Sequence, residues 1–81
     1  MVNVSFTSSF SAVFGSSEGF EVEAATLREL MRALIARYPH LQHQVDAGIA
    51  LAVNGEIYRD DWDVVIPDGA EVFLMPRIQG G

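Results

Sequence analysis

Residues 26–39, TLRELMRALIARYP, are where the chain changes period, and their reading decides what the rest must be. Leu27, Leu30, Met31, Leu34, Ile35 and Tyr38 recur at steps of three and four, which lays one apolar stripe along a helix. Thr26 and Glu29 have the spacing of a capping box, in which each side chain accepts from a free backbone N–H at the helix start. Pro39 disfavours helical backbone at Tyr38 and marks the end, giving a helix of about three turns.

Both flanks of this helix read as strands. Upstream, VNVSF alternates Val2, Val4 and Phe6 with Asn3 and Ser5, and FEVEA alternates Phe20 and Val22 with Glu21 and Glu23, the period of half-buried strands. Between them SSFSAVFGSSEG reads as a loop whose Phe10, Val13 and Phe14 fold back over the core. Two strands joined by one loop suggest a hairpin. Downstream, HLQHQVDAG has room for a further short turn of helix, and IALAVNGEIY puts Ile49, Leu51 and Val53 on one face. Asn54-Gly55 is the preferred dipeptide of a tight hairpin. Pro67-Asp68-Gly69 makes a turn before EVFLM, a strand apolar on both faces. The predicted order is strand, strand, helix, strand, short strand, strand.

A single helix covers only one face of a four- or five-stranded sheet. If Val72 and Leu74 face it, Phe73 and Met75 point the other way. Large apolar groups left in a patch mark a contact surface. The alternative is that the long loop between the first two strands folds over them.

Composition narrows the chemistry. A chain of 81 residues makes one domain burying about 60% of its unfolded surface, too small for a large enclosed active site. A hydrophobic fraction of 49% with 20% charged residues belongs to a globular domain. With no cysteine there is no disulfide, side-chain thioester, persulfide or thiolate metal site. There is no lysine, and five arginines stand against eleven acids for a formal charge of -6. That balance argues against nucleic acid or an anionic membrane and suits a basic protein partner. MVNVSFTSSF lacks the basic start and continuous apolar run of a signal peptide, and no stretch approaches a membrane span. The expectation is a cytoplasmic protein.

The ββαββ order, the VNGE turn of Val53–Glu56, the PDGAEVFLMP segment and the final Gly80-Gly81 together resemble the ubiquitin-like sulfur carriers of the MoaD/ThiS family. The likeness covers essentially the whole chain, with most of its specificity in residues 51–81. It implies an α+β β-grasp fold, a mixed four- to five-stranded sheet packed on one main helix. Residues 1–76 would form that domain and residues 77–81 a flexible tail. It also implies a carrier or co-substrate rather than an enzyme. It implies further that no cofactor is bound and that ATP is used by an adenylating activating enzyme, which would convert the last glycine, here Gly81, to an acyl adenylate. A partner's persulfide then displaces AMP to leave a thiocarboxylate. The sulfur passes to a biosynthetic intermediate on an acceptor of the molybdopterin-synthase large-subunit or thiazole-synthase type.

Glycine suits the last two positions, since Gly80 and Gly81 lack a Cβ and can enter a narrow channel. Five extended residues from Arg77 reach roughly 17 Å. Arg77 has the charge to pair with an acidic surface and Ile78 the shape to fill a small apolar pocket, each alternatively a plain solvated or edge-packed residue. Phe73 is a candidate from its outward place in the last strand, and the resemblance places Ile57 and Met75 among the residues that dock partners.

Departures from the family pattern leave the acceptor divided. Pro76 is followed by Arg77 where molybdopterin-synthase small subunits often have two prolines, and Gly69-Ala70 stands where Gly-Asp is common. Arg59 and Trp62 in YRDDW are similar to a segment of thiamine-pathway carriers. Molybdopterin is taken first, with thiamine thiazole or cysteine synthesis as alternatives. Other constellations are weak: His40 and His43 lack a third ligand, and Asp60, Asp61 and Asp63 are out of register for a calcium loop. The rival functions are a ubiquitin-like modifier conjugated to lysines and a binding module with an idle tail.

Overall fold

Five strands form one sheet in the computed structural model, which describes residues 1–15, 18–59 and 61–76. They are β1 (Val2–Phe6), β2 (Phe20–Val22), β3 (Ile49–Val53), β4 (Glu56–Tyr58) and β5 (Glu71–Pro76), in the order β2-β1-β5-β3-β4. β1 and β5 pair in parallel and the other pairs are antiparallel. The last strand thus lies at the centre, between the first and the third.

The helix α2 (Leu27–Arg37) buries Leu27, Leu30, Met31 and Leu34. These join Val2, Val4, Leu51, Val72 and Leu74 in one core, each fully buried leucine contributing about 1.5–3 kcal/mol. The capping box forms as predicted in one arm: the Glu29 N–H donates to Thr26 Oγ1 at 3.2 Å. In the other arm Glu29 Oε1 accepts from the Ala25 N–H, at 3.2 Å. The sequence did not reveal the other partners of the helix start. The Leu27 N–H donates to the Val64 carbonyl at 3.1 Å and the Arg28 N–H to the Trp62 carbonyl at 2.8 Å. Residues 61–66 therefore cross the start of α2 and occupy donors that a helix leaves free.

The segment between β1 and β2 is more ordered than a loop. Ser8–Phe10 form a 3-10 turn and Ser11–Phe14 a single helical turn, α1, ended by Gly15 at φ +71°. Phe10 and Phe14 are buried. The Phe14 ring lies 4.4 Å from Phe6 and 4.9 Å from Tyr38, centroid to centroid. This segment packs on the helix side of the sheet, so the alternative in which it covers Phe73 does not hold. A second departure is α3 (Leu41–Ala47), a seven-residue helix where the sequence suggested a short turn. Leu41 anchors it in the core.

Two turns match their sequence signals. Asn54 and Gly55 both have positive φ, 49° and 91°, the backbone of a type I′ hairpin. Gly69 takes φ 79° while the Ala70 N–H donates to the Pro67 carbonyl at 3.1 Å, which puts glycine at the position of the turn that needs it.

Candidate docking face

Register alone assembles the candidate site. Ile57 pairs with Ala52, Ala52 with Phe73, and Phe73 with Ser5, so these four form a row across β4, β3, β5 and β1. In β5 the residues on either side of Phe73, Val72 and Leu74, are buried against the helix, so the row lies on the outer face. Ala50 and Met75 pair beside it. Ile57 is 60% exposed and Phe73 38%, and Met75 is half-buried. Alanine at 50 and 52 keeps the middle of the face low, leaving Ile57 and Phe73 as its two raised apolar groups. Strands about 4.8 Å apart put their Cα atoms about 10 Å from each other.

Three of the seven predicted site residues, Ile57, Phe73 and Met75, are thus brought together on one surface. Arg77, Ile78, Gly80 and Gly81, with the rest of the predicted 77–81 tail, lie outside the described residues. The chain enters that segment from Pro76, which pairs with Ile49 at the end of β5. The tail therefore follows directly from the strand that carries Phe73 and Met75.

The surroundings of the face are polar and fixed by turns. Asn54 Oδ1 accepts from the Glu71 N–H at 3.0 Å, and the Asn54 N–H donates to the Glu71 carbonyl at 2.9 Å. The β3–β4 turn is thereby tied to the start of β5. At the same end the Met1 ammonium pairs with Asp68, which holds the Asp68 carboxyl below its ordinary value and raises the amine above its own. Among the described residues no group of three or more histidine, cysteine or acidic side chains is placed to hold a metal ion. No helix among them is long and apolar enough to cross a membrane. Trp62 lies not on this face but beside the helices, in a groove shared with Arg28, Met31 and Val45.

Comparison with protein families matches residues 5–81 to the ThiS family. The chain belongs to the ThiS family. The match runs through the sheet face and includes the terminal glycines. No curated protein matches by sequence. Among solved structures, a chain of the complex of subunits 1 and 2 of molybdopterin-converting factor from Helicobacter pylori 26695 is 28% identical. It aligns over 99% of this chain and 97% of its own, with a TM-score of 0.70. A chain of the BexX/CysO complex of Amycolatopsis orientalis aligns over all of both chains at 20% identity, with a TM-score of 0.80. Small archaeal modifier protein 1 of Methanosarcina acetivorans aligns over 99% of this chain and 95% of its own at 18% identity, with a TM-score of 0.79. The last two share the fold, and the ubiquitin-like β-grasp architecture of this ThiS-family chain follows from them and from its own sheet.

Ala50 and Ala52 were legible only as strand residues. Their part in shaping the face depends on which β5 residues lie opposite, and pairing register is not written in one strand alone.

Proposed function

We propose that this ThiS-family chain is a sulfur carrier and a co-substrate, its body supplying recognition and Gly81 supplying the reacting carboxylate. The observation that carries the reading is the family match reaching residue 81, joined to an uncovered apolar face on the strand that leads into those residues. A carboxylate is a poor electrophile, because its charge repels nucleophiles and oxide cannot leave. An activating enzyme would therefore first transfer AMP from ATP to the Gly81 carboxylate, releasing pyrophosphate. The terminal sulfur of a partner's persulfide would then attack the acyl carbon and expel AMP. Cleavage of the resulting acyl disulfide by a second thiol leaves the thiocarboxylate and a disulfide on the partner. The chain holds no cysteine, so every thiol in this sequence belongs to a partner.

For the acceptor we propose a large subunit of the molybdopterin-converting type, since a 28% identical chain comes from a complex of the two subunits of that factor. Thiazole or cysteine synthesis are the alternatives, and each requires a different acceptor protein. The working compartment we propose is the cytoplasm.

The test is the intact mass of the protein after incubation with ATP, an activating enzyme and a persulfide donor. The expected outcome is a gain matching replacement of one oxygen by sulfur, absent when Gly81 is deleted or when one residue is added after it. Isopeptide-linked remnants on other proteins would instead select the modifier. Unchanged activity without Gly80 and Gly81 would select the binding module.

A further inference from the structure

The outer face has a second half that the apolar row does not account for. Asn3 lies opposite Glu21 on one side and opposite Glu71 on the other, so Glu21, Asn3 and Glu71 form a row across β2, β1 and β5. All three are exposed, and among the described residues neither glutamate forms a salt bridge. Beside this row lie Ser5 and Gly19. A Cβ at Gly19 would come 2.5 Å from the Val4 carbonyl oxygen, so β2 can sit this close to β1 only with hydrogen at that position. The bare backbone there leaves an open groove of about 540 Å³, lined in part by Asn3, Ser5, Gly19, Glu21 and Glu71.

Charge is segregated around this groove. Arg28, Arg32 and Arg37 belong to α2, on the other side of the sheet, and Arg59 follows β4 at the far edge. Among the described residues the Met1 ammonium lies at this end, held by Asp68 and also feeling Glu23 and Glu21, and the Arg37 guanidinium lies 6.0 Å from the ring of Phe20, which also lines the groove. This end of the face is left net negative in a chain of formal charge -6.

We propose that the Glu21–Asn3–Glu71 row seats an arginine of the protein that docks on the apolar row, and thereby sets the direction in which the docked carrier points; this rests on the carrier reading above. Glutamates two strands apart have Cα atoms about 10 Å from each other, a spacing at which both side chains can converge on one guanidinium. Arginine fits better than lysine because its planar fork donates to two carboxylates at once. Its long apolar stem would lie along Gly19 and Ser5. The apolar row alone is nearly indifferent to a half-turn of the partner, since it runs across the strands. The acidic row breaks that symmetry. It stands at the start of β5, about 17 Å of strand behind the point where the chain leaves for Gly81. A partner docked the wrong way round would lose the ion pairs and find the tail leading away from its active site.

The test uses the full chain and the adenylating enzyme that loads it, with association followed by stopped flow at several salt concentrations. Charge reversal by Glu21→Arg with Glu71→Arg is expected to slow association at least tenfold and to flatten its salt dependence. The isosteric pair Glu21→Gln with Glu71→Gln should fall between and guards against misfolding of the reversal variant. Asp46→Arg with Asp61→Arg, an equal change of net charge away from the groove, should stay within twofold of wild type. Equal slowing by both reversals, or by neither, overturns the inference while leaving the carrier intact. Failure of the enzyme to adenylate the wild-type chain overturns the carrier reading, and the inference with it.

Discussion

Along β5 the two faces of one strand have opposite fates. Val72 and Leu74 are wholly buried, while Phe73 between them keeps 38% of its surface exposed although it is the largest of the three. What separates them is what lies across the sheet: α2 and the Phe10–Phe14 turns cover one side, and no described element covers the other. Hydrophobic residues in a strand therefore divide into those that make the fold and those left open on the outer face, which the proposed function assigns to a partner.

Substitution tests that division directly. Leu74→Ala empties a fully buried site and is expected to destabilise the protein by about 3 kcal/mol, lowering Tm by more than about 10 °C. Thermal unfolding by circular dichroism measures it. Phe73→Ala, one residue away, should cost less than about 1 kcal/mol in the same assay yet weaken binding to the activating enzyme by about tenfold. If Phe73→Ala destabilised the fold as much as Leu74→Ala, the two faces would be one core and the comparison would break.

The smallest effect is expected at the edge of the face, where Met1 and Asp68 pair in full exposure to solvent. Asp68→Asn should change Tm by a few degrees at most, since water and salt screen such a pair. Its pH dependence sharpens the point. The Asp68 carboxyl is held below its ordinary 3.8, so its contribution is present above that value and is lost as pH falls through the lowered one. The Met1 amine is raised above its ordinary 8.0, so its contribution is present below that value and is lost as pH rises through the raised one. The difference between wild type and Asp68→Asn should therefore be greatest between about pH 4 and 8. A difference that persisted outside this window would point to packing and not to charge.

Much of this architecture was legible from single residues. Thr26 with Glu29 located the helix start, Pro39 its end, and the alternation of Val2, Val4 and Phe6 told which side of β1 faces inward. Asn54-Gly55 and Pro67-Asp68-Gly69 marked turns because their backbone chemistry is local. The illegible parts were tertiary. Residues 61–66 have no pattern that announces carbonyls for the first N–H groups of α2. Ser8–Phe14 carries the serine and glycine of a loop, and only burial of Phe10 and Phe14 makes it helical. Phe73 and Met75 could be named from their positions in the last strand, and Ile57 only through the family resemblance. The acidic row could not, because Glu21 and Glu71 lie fifty residues apart in the chain and meet only through their shared pairing with Asn3.

The central place of β5 also has a mechanical meaning. In the proposed function, a partner that drew the terminal residues into its own channel would pull on the end of β5 along the strand axis. Because β5 is flanked by β1 on one side and β3 on the other, that pull is borne as shear by two ladders of hydrogen bonds at once and cannot peel them apart one by one. In that role the folded body would serve the partner as a rigid handle.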